Sequence, residues 1–180
     1  MICKIINQVA SILNQHNSPL AIRKCQIMSF FTNPESVIKR VRAILLTGKK
    51  SVMFIKRVKP NTPPYWVAPG GGVEDEDATL LDTLYRELHE ELGAQVEVIK
   101  TAFVLEHNMA GKQLEEHFFI CRLLDYDLTL REGPEFKDPK RGEFIPDEIP
   151  LLESELSSIH IKTPELADWL LENLQVLQAI

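Results

Sequence analysis

The chain has 180 residues, of which 44% are hydrophobic, and its formal net charge at pH 7 is −6. This composition fits one globular domain with an extension, while the negative charge argues against general affinity for nucleic acid or anionic membranes. The three cysteines lack zinc-ligand or disulfide spacing and no apolar run could cross a bilayer, which predicts a reduced, cytoplasmic protein.

The N-terminal part of the chain predicts a helix followed by a linker. Apolar residues recur at helical spacing over 2–15, which indicates an amphipathic helix that packs against the main domain or a second subunit. Prolines interrupt the segment 17–34, as is typical of a linker. We therefore expect a helical extension and linker over residues 1–35, and the main domain over residues 36–180.

Two β-strands and a glycine run open the main domain. Residues 37–46 and 51–58 are β-branched and apolar, and they flank a short turn that contains Gly48. A proline-rich segment over 59–64 predicts a loop. The chain then reaches three consecutive glycines at 70–72, which indicates a turn that needs unusual backbone angles.

A helix is predicted directly after the glycine run. We expect it to begin at Asp77, a favoured N-cap residue, and to end at Gly93, a favoured residue just past a helix end. Its apolar residues form a stripe that we expect to be buried against a sheet: Leu81, Leu84, Tyr85, Leu88 and Leu92.

The rest of the chain predicts a second strand pair, a long loop and a closing helix. Residues 95–105 and 115–126 have the composition of strands. The segment 127–147 is polar and punctuated by Gly and Pro, which is typical of a substrate lid. Thr163 and Pro164 mark the start of the last helix, whose apolar stripe is Leu166, Leu170, Leu174 and Leu177.

Three carboxylates share one face of the helix that follows the glycine run. Glu90 and Glu91 come three and four residues after Glu87, a spacing that places all three on the same face. Carboxylates held together repel one another unless a cation lies between them, and Mg²⁺ prefers oxygen ligands and often shares them with substrate phosphates. The pattern therefore predicts a Mg²⁺ site, with Mn²⁺ as a substitute, that faces a phosphorylated substrate. A solvated acidic helix face is the alternative.

The glycine run and this helix together resemble a family signature. Two segments resemble the Nudix box: Pro69-Gly70-Gly71-Gly72-Val73-Glu74 and Arg86-Glu87-Leu88-His89-Glu90-Glu91-Leu92-Gly93. The resemblance implies an α/β protein, a Nudix-type α/β/α sandwich with a mixed β-sheet, whose Nudix hydrolase domain spans residues 36–180. It also implies hydrolysis of a diphosphate bond in a nucleoside diphosphate linked to another group, X.

One position departs from the signature. Counted back from Arg86, the first Glu of the box falls at position 78, where this chain has Ala78. In the family this Glu mainly braces the glycine loop against the helix, often through the Arg. Asp77 and Glu76 are the neighbouring carboxylates, so we predict that one of them braces the loop against Arg86.

The resemblance implies roles for residues of the box. Glu87, Glu90 and Glu91 would bind the metal together with the backbone carbonyl of Gly70, and Glu90 and Glu91 are also catalytic candidates. Arg86 would orient Glu87 or Glu90 through charge-assisted hydrogen bonds. A plain surface arginine is the alternative for Arg86.

Two candidates lie outside the box. In the family the general base is a box Glu or a Glu from a distant loop, and we predict Glu135 of the long loop for this role. Solvated loop charge is the alternative for Glu135. Arg57, at the end of the second strand, is a candidate ligand for a substrate phosphate, and a charge that keeps an edge strand soluble is the alternative.

The leading prediction is a magnesium-dependent diphosphohydrolase that binds a small nucleotide and no nucleic acid or membrane. A Nudix-like module that holds a nucleotide without cleaving it is the alternative, and Ala78 is the feature that favours it. The intact carboxylates favour the enzyme, because a sensor has no need of a full metal set. The box does not report the identity of X, and a homodimer is compatible with the family.

Overall fold

The computed structural model describes residues 37–109, 112–133, 136 and 138–180. The predicted N-terminal helix and Glu135 lie outside these residues. The strands are β1 Ile38–Thr47, β2 Ser51–Lys59, β3 Thr62–Val67, β4 Ala94–Met109, β5 Lys112–Tyr126 and β6 Glu143–Pro150. The helices are α1 Leu80–Leu92, α2 Glu153–Leu156, α3 Pro164–Glu172 and α4 Leu174–Gln178.

The six strands form one mixed sheet. Their order is β3-β2-β1-β5-β4, and β6 pairs with β2. The strands β1 and β5 are parallel, whereas the other pairs are antiparallel. The parallel register aligns Arg40 with Glu116 and Arg42 with Phe118. Because side chains alternate between the two faces of a strand, these four residues share one face.

Helices cover both faces of the sheet. On one face, α1 packs its leucines against apolar residues of β1, β2 and β5. On the other face, α3 and α4 join a second apolar core that includes Phe54 and Phe118. This arrangement confirms the α/β/α sandwich with a mixed sheet. No helix within the described part of the chain is both long and apolar enough to cross a membrane.

Helix α1 begins two residues later than the predicted N-cap implies. Thr79 caps the helix, and its side-chain oxygen accepts a hydrogen bond from the backbone N–H of Asp82. The predicted cap, Asp77, is wrong because its carboxylate accepts hydrogen bonds from Arg86 instead. The predicted end of the helix is confirmed, since Gly93 takes the left-handed conformation with φ 60°.

The buried stripe of α1 is narrower than predicted. Leu84, Leu88 and Leu92 are completely buried, but Leu81 and Tyr85 are 40% and 46% exposed. The buried leucines are four residues apart and follow one line along the helix, which is the line that touches the sheet. The prediction of burial was therefore wrong for Leu81 and Tyr85.

Two predicted loops contain strands. The proline-rich segment mostly belongs to β3, which lies at the edge of the sheet, where Pro63 and Pro64 are tolerated. The predicted long loop, 127–147, includes most of β6, which pairs with β2 along almost its whole length. The charges and prolines of β6 are not typical of a strand, so the sequence did not predict one. This segment forms a strand through its pairing with β2.

The remaining elements agree with the prediction, except that the last helix is divided in two. The two predicted strand pairs are present, and β4 and β5 are longer than expected. The last helix starts at Pro164, as predicted, but divides at Asn173 into α3 and α4. At this point both the backbone N–H and the side-chain amide of Asn173 donate to the carbonyl of Trp169, at 3.1 and 2.8 Å.

Replacement of Leu88 with Ala is expected to lower the free energy of unfolding by about 2–5 kcal/mol, because it leaves a cavity between α1 and the sheet. The matched control is Leu81→Ala on the exposed side of the same helix, which should cost less than about 1 kcal/mol. Urea unfolding of both variants measures the difference. Equal losses would contradict the packing of α1 described above.

Candidate active site

The glycine loop lies along β1 and is held by backbone hydrogen bonds. The N–H of Val41 donates to the carbonyl of Gly71 at 2.9 Å, and the N–H of Ala43 donates to the carbonyl of Pro69 at 2.8 Å. Gly70 has φ 128°, and a Cβ there would lie 2.3 Å from the carbonyl oxygen of Val41. Only glycine fits at this position, so the loop is a fixed extension of the sheet.

Arg86 links this loop to α1. Its Nε and Nη2 atoms donate to the two carboxylate oxygens of Asp77 at 3.1 and 2.8 Å, and Nη2 also donates to the carbonyl of Gly72 at 2.9 Å. The bidentate bond lowers the pKa of Asp77 below its usual range and raises the pKa of Arg86. This geometry confirms that a carboxylate next to Ala78 takes up the brace and identifies it as Asp77.

Arg86 also contacts two carboxylates of the metal candidate set. Its Nη1 atom donates to Glu87 at 3.1 Å and to Glu90 at 3.3 Å. Burial raises the pKa of Glu87, and the charge and hydrogen bond of Arg86 act in the opposite direction. The guanidinium of Arg86 therefore lies between these two carboxylates and offsets their mutual repulsion.

Two carboxylates touch the glycine loop directly. A Cβ at Gly71 would lie 2.4 Å from the carboxylate of Glu87, so the glycine leaves the space that this side chain fills. Glu91 accepts a hydrogen bond from the N–H of Gly70 at 2.7 Å. The carboxylate stripe of α1 and the glycine loop thus form one continuous surface.

The oxygen atoms on this surface suit a hard divalent cation such as Mg²⁺. The carbonyl of Gly70, the predicted backbone ligand, accepts a hydrogen bond from Nη1 of Arg42. Among the described residues, no three His, Cys, Asp or Glu side chains already converge as a metal site. A metal ion at these oxygens would therefore compete with the guanidinium groups of Arg42 and Arg86.

An ion pair that the sequence pattern did not reveal lies beside the loop. The Nε and Nη2 atoms of Arg42 donate to one carboxylate oxygen of Glu116 at 3.2 and 3.1 Å. Glu116 is only 6% exposed, and Nε2 of His107 lies 3.7 Å from its other oxygen. Arg42 also donates to the carbonyl of Ala68. The sequence shows only that Arg42 and Glu116 have opposite charges, because the pairing of β1 with β5 is not visible in it.

A cavity of about 470 Å³ opens next to this ion pair, and we call it the cleft. Glu91 belongs to its wall, which connects the cleft to the carboxylate stripe. Its cationic wall residues are Arg40, Arg42, Arg57 and Lys162. The wall also contains the carboxylates of Glu91, Glu116 and Glu165, and Glu116 is paired with Arg42. Positive charge around a concave site attracts anionic ligands, so the cations on this wall can contact phosphate groups.

Arg57 is held at the wall of the cleft. Its Nε and Nη2 atoms donate to the carbonyls of Glu143 and Arg141 at 3.3 and 2.8 Å. Its guanidinium carbon lies 3.3 Å from the ring centre of Phe144. These contacts position the side chain, whereas a charge that only keeps an edge strand soluble needs no fixed position.

The loop that contains Glu135 begins against α1. The backbone N–H of Glu132 donates to the carbonyl of Glu90 at 3.1 Å, and Nε of Arg131 donates to the carbonyl of Glu91 at 2.6 Å. Glu135 itself is outside the described residues, so its assignment as the base stays a prediction. The start of its loop is nevertheless joined to the carboxylate helix.

A glycine loop braced to an acid-rich helix in an α/β/α sandwich defines the class of this protein. A family model described as the NUDIX domain matches residues 38–164. The chain belongs to this family.

Comparison with known proteins gives curated relatives from Haemophilus influenzae and several similar folds. The chain is 32% identical over 87 residues to an RNA pyrophosphohydrolase of Haemophilus influenzae strain PittEE, a match that covers 48% of this chain and 39% of the relative. The chain therefore spans well under half of that relative's length. The same figures hold for the protein of strain 86-028NP.

Solved structures support the fold. A NUDIX hydrolase from Nitrosomonas europaea has a TM-score of 0.58 at 14% identity, over 78% of this chain and 89% of that one. An Ap4A hydrolase from C. elegans, solved as a binary complex, has a TM-score of 0.57 at 17% identity, over 80% of this chain and 100% of that one. At these identities the likeness concerns the fold alone.

Replacement of Asp77 with Asn is expected to destabilise the protein, because Asn cannot form the charged bidentate bond with Arg86. The matched control is Glu76→Gln, which neutralises the adjacent exposed carboxylate and should have little effect. Unfolding free energies of both variants at neutral pH measure the contribution of the brace. Equal stability of the two variants would contradict it.

The stability difference between wild type and Asp77→Asn is expected to depend on pH. The pKa of Asp77 is depressed in the folded state, so its stabilisation is complete above its ordinary pKa of 3.8 and is lost as the pH falls below that value. Unfolding curves from neutral pH down to about pH 3 should therefore approach one another for wild type and Asp77→Asn. Parallel loss of stability would show that Asp77 is not paired in the folded state.

Proposed function

We propose that this protein hydrolyses a diphosphate bond in a nucleoside diphosphate linked to another group, with Mg²⁺ as its cofactor. The observation that carries the proposal is the contact between the braced glycine loop and the carboxylate stripe of α1, at the wall of a cationic cleft. Hydrolysis of a phosphate anhydride needs a metal, a water nucleophile and positive charge around the phosphates. The site contains oxygen ligands and cations that match these needs.

The proposed metal ligands are the carboxylates of Glu87, Glu90 and Glu91 and the carbonyl of Gly70, and Mn²⁺ is proposed to substitute for Mg²⁺. A bound metal would neutralise phosphate charge and lower the pKa of a water molecule. Arg86 is proposed to orient Glu87 and Glu90, since it contacts both carboxylates and the loop.

Proton transfer from the attacking water is proposed to involve Glu135, with Glu90 and Glu91 as further catalytic groups. The support for Glu135 is that its loop starts with Glu132, whose N–H is bonded to the carbonyl of Glu90. As a base, Glu135 would accept one proton from the nucleophile.

Arginines of the cleft are proposed to bind the phosphates of the substrate. Arg57 is the first candidate, because backbone carbonyls and the ring of Phe144 fix its guanidinium at the wall. Arg42 is proposed to act on the loop, since it bonds the carbonyls of Ala68 and Gly70 while Glu116 balances its charge. The substrate is thus proposed to be a small nucleotide whose diphosphate lies between the carboxylate stripe and Arg57.

The second candidate function is a binding module that holds a nucleotide without cleaving it. The hydrogen bond from Arg42 to the carbonyl of Gly70 favours it, because that bond engages a proposed metal ligand. The intact carboxylate stripe favours the enzyme. Release of phosphate, pyrophosphate or a nucleoside monophosphate from a panel of nucleotides with Mg²⁺ separates the two functions.

Replacement of Glu90 with Gln is expected to lower kcat about 100-fold or more, because it removes a proposed metal ligand and catalytic group while keeping its size. The matched control, Glu153→Gln, neutralises an exposed carboxylate in the first turn of α2 and should keep wild-type turnover. A Mg²⁺ titration followed by thermal unfolding reports metal binding without turnover. Full activity of the wild type after exhaustive treatment with EDTA would contradict the proposal.

The domain boundaries are also a proposal, with residues 1–35 as extension and linker and residues 36–180 as the Nudix hydrolase domain. A chain that starts at Met28 is expected to keep its Mg²⁺-dependent turnover, since the described site lies beyond that point. Loss of the predicted helix should instead lower thermal stability or change a homodimer to a monomer. Steady-state kinetics and size-exclusion chromatography test this, and a folded truncation of unchanged size that lost its turnover would contradict it.

A further inference from the structure

The last turn of α1 ends against the segment 127–132. Carbonyls at the end of a helix have no partner within the helix and need one elsewhere. The N–H of Glu132 donates to the carbonyl of Glu90 at 3.1 Å, and Nε of Arg131 donates to the carbonyl of Glu91 at 2.6 Å. The segment therefore holds the turn that carries two of the proposed metal ligands.

The guanidinium of Arg131 also contacts a different element. Its Nη1 atom donates to the carbonyl of Phe144 in β6 at 2.8 Å. Phe144 pairs with Arg57 of β2, and its ring centre lies 3.3 Å from the guanidinium carbon of Arg57. Arg57 is the residue that the proposed function assigns to a substrate phosphate. One side chain thus joins the carboxylate helix to the strand that supports this phosphate ligand.

A second aromatic ring strengthens the connection. Phe136 packs edge to face on Phe144, with ring centres 5.2 Å apart, and the guanidinium carbon of Arg131 lies 4.7 Å from the centre of the Phe136 ring. Contacts between cations and ring faces and between the edge and the face of two rings are both attractive. The four side chains form one series of contacts that we call the arginine–phenylalanine stack: Arg57, Phe144, Phe136 and Arg131.

The third nitrogen of the Arg131 guanidinium shows why an arginine is needed. Nη2 is buried, and within the part of the chain that the structure describes it has no hydrogen-bond partner. An unpaired buried donor costs stability. A lysine could cap the helix without this cost, whereas a planar fork can donate in two fixed directions at once. The two contacts of Arg131, to α1 and to β6, therefore explain the arginine better than capping alone.

We infer that Arg131 is a positioning residue, which sets the distance between the carboxylate stripe of α1 and Arg57 by bonding the last turn of the helix and β6 together. This inference rests on the proposed function and adds to it a residue outside the box. Arg131 acts on the metal ligands through the carbonyl of Glu91 and on the phosphate ligand through the arginine–phenylalanine stack. Spacing matters because small displacements of groups that bind one diphosphate lower the rate.

The first test replaces Arg131 with Lys, which keeps a positive charge at the helix end but donates from a single nitrogen. We expect a folded variant whose kcat falls about tenfold and whose KM rises about threefold. The control is Arg122→Lys, since Arg122 bonds Glu97 and the carbonyl of Ile180, and it should keep wild-type kinetics. Lower stability with unchanged kcat and KM in the folded Arg131 variant would show capping alone and overturn the inference.

The second test asks whether Arg131 acts through Arg57. Both arginines are replaced by Lys, singly and together, and the values of kcat/KM give the coupling between them. If Arg131 positions Arg57, the double variant loses less than the product of the two single losses. The combination of Arg57→Lys with Arg122→Lys should give the full product. Full products in both combinations would overturn the inference.

A third variant leaves Arg131 in place and tests the contact with β6. Phe144→Leu removes the ring beside Arg57 but keeps the backbone carbonyl that accepts from Arg131. We expect KM to rise about fivefold and kcat to change less than about twofold. An unchanged KM would overturn the inference, and this result counts even if Arg131→Lys does not fold.

The last test does not depend on hydrolysis. Thermal unfolding of the full chain is followed in a Mg²⁺ titration, in which metal binding raises Tm. Wild type and Arg122→Lys should respond alike, and Arg131→Lys should need about tenfold more Mg²⁺ for the same rise. An equal response of all three would overturn the inference.

The same titration separates the inference from the proposed function. A wild type that cleaves no nucleotide, while Arg131→Lys still needs more Mg²⁺ than wild type, would contradict the proposed function and support the positioning role. Nucleotide cleavage with the same kinetics in wild type and Arg131→Lys would support the function and overturn the positioning role. A wild type with neither cleavage nor a Mg²⁺ response would overturn both.

Discussion

One guanidinium group holds the candidate active site together. Arg86 donates from Nε and Nη2 to Asp77, from Nη2 to Gly72 and from Nη1 to Glu87 and Glu90. Its donors are arranged in a rigid planar fork, so that these acceptors must lie in matching directions. Together with the hydrogen bond from the N–H of Gly70 to Glu91, this side chain therefore sets the position of the glycine loop relative to α1. A lysine at the same place would present one point charge and could not satisfy loop and helix together.

The glycine loop is bound by arginines from two sides. Arg86 reaches the carbonyl of Gly72 from the helix, and Arg42 reaches the carbonyls of Ala68 and Gly70 from the sheet. Glu116, almost fully buried, balances Arg42 and so permits a cation at this depth. The loop oxygens are thus oriented before any ligand binds. The same arrangement means that a metal ion must take some of these oxygens from guanidinium groups.

The site was more predictable than the packing around it. The carboxylate stripe follows from helical spacing, and the resemblance to the Nudix box implied that the glycine loop lies beside it and that Asp77 or Glu76 takes the place of the first Glu. The helix cap was wrong, because the hydrogen bonds of Asp77 to Arg86 exclude it from capping. Leu81 was expected to be buried, but helical periodicity defines a broad stripe, and only contact with the sheet decides which part of it is covered.

The sequence by itself determined the chemistry of the box: which oxygens share a helix face, where the loop can bend and which arginine can reach both. These are local properties, set by helical spacing and by the absence of a Cβ in glycine. Tertiary structure alone decided that β1 and β5 are parallel neighbours, which brings Arg42 to Glu116 across 74 positions of sequence. It also decided that β6 pairs with β2, which places Arg57 against Phe144. Such pairings depend on the competition among all strands for partners, and no short segment contains that information.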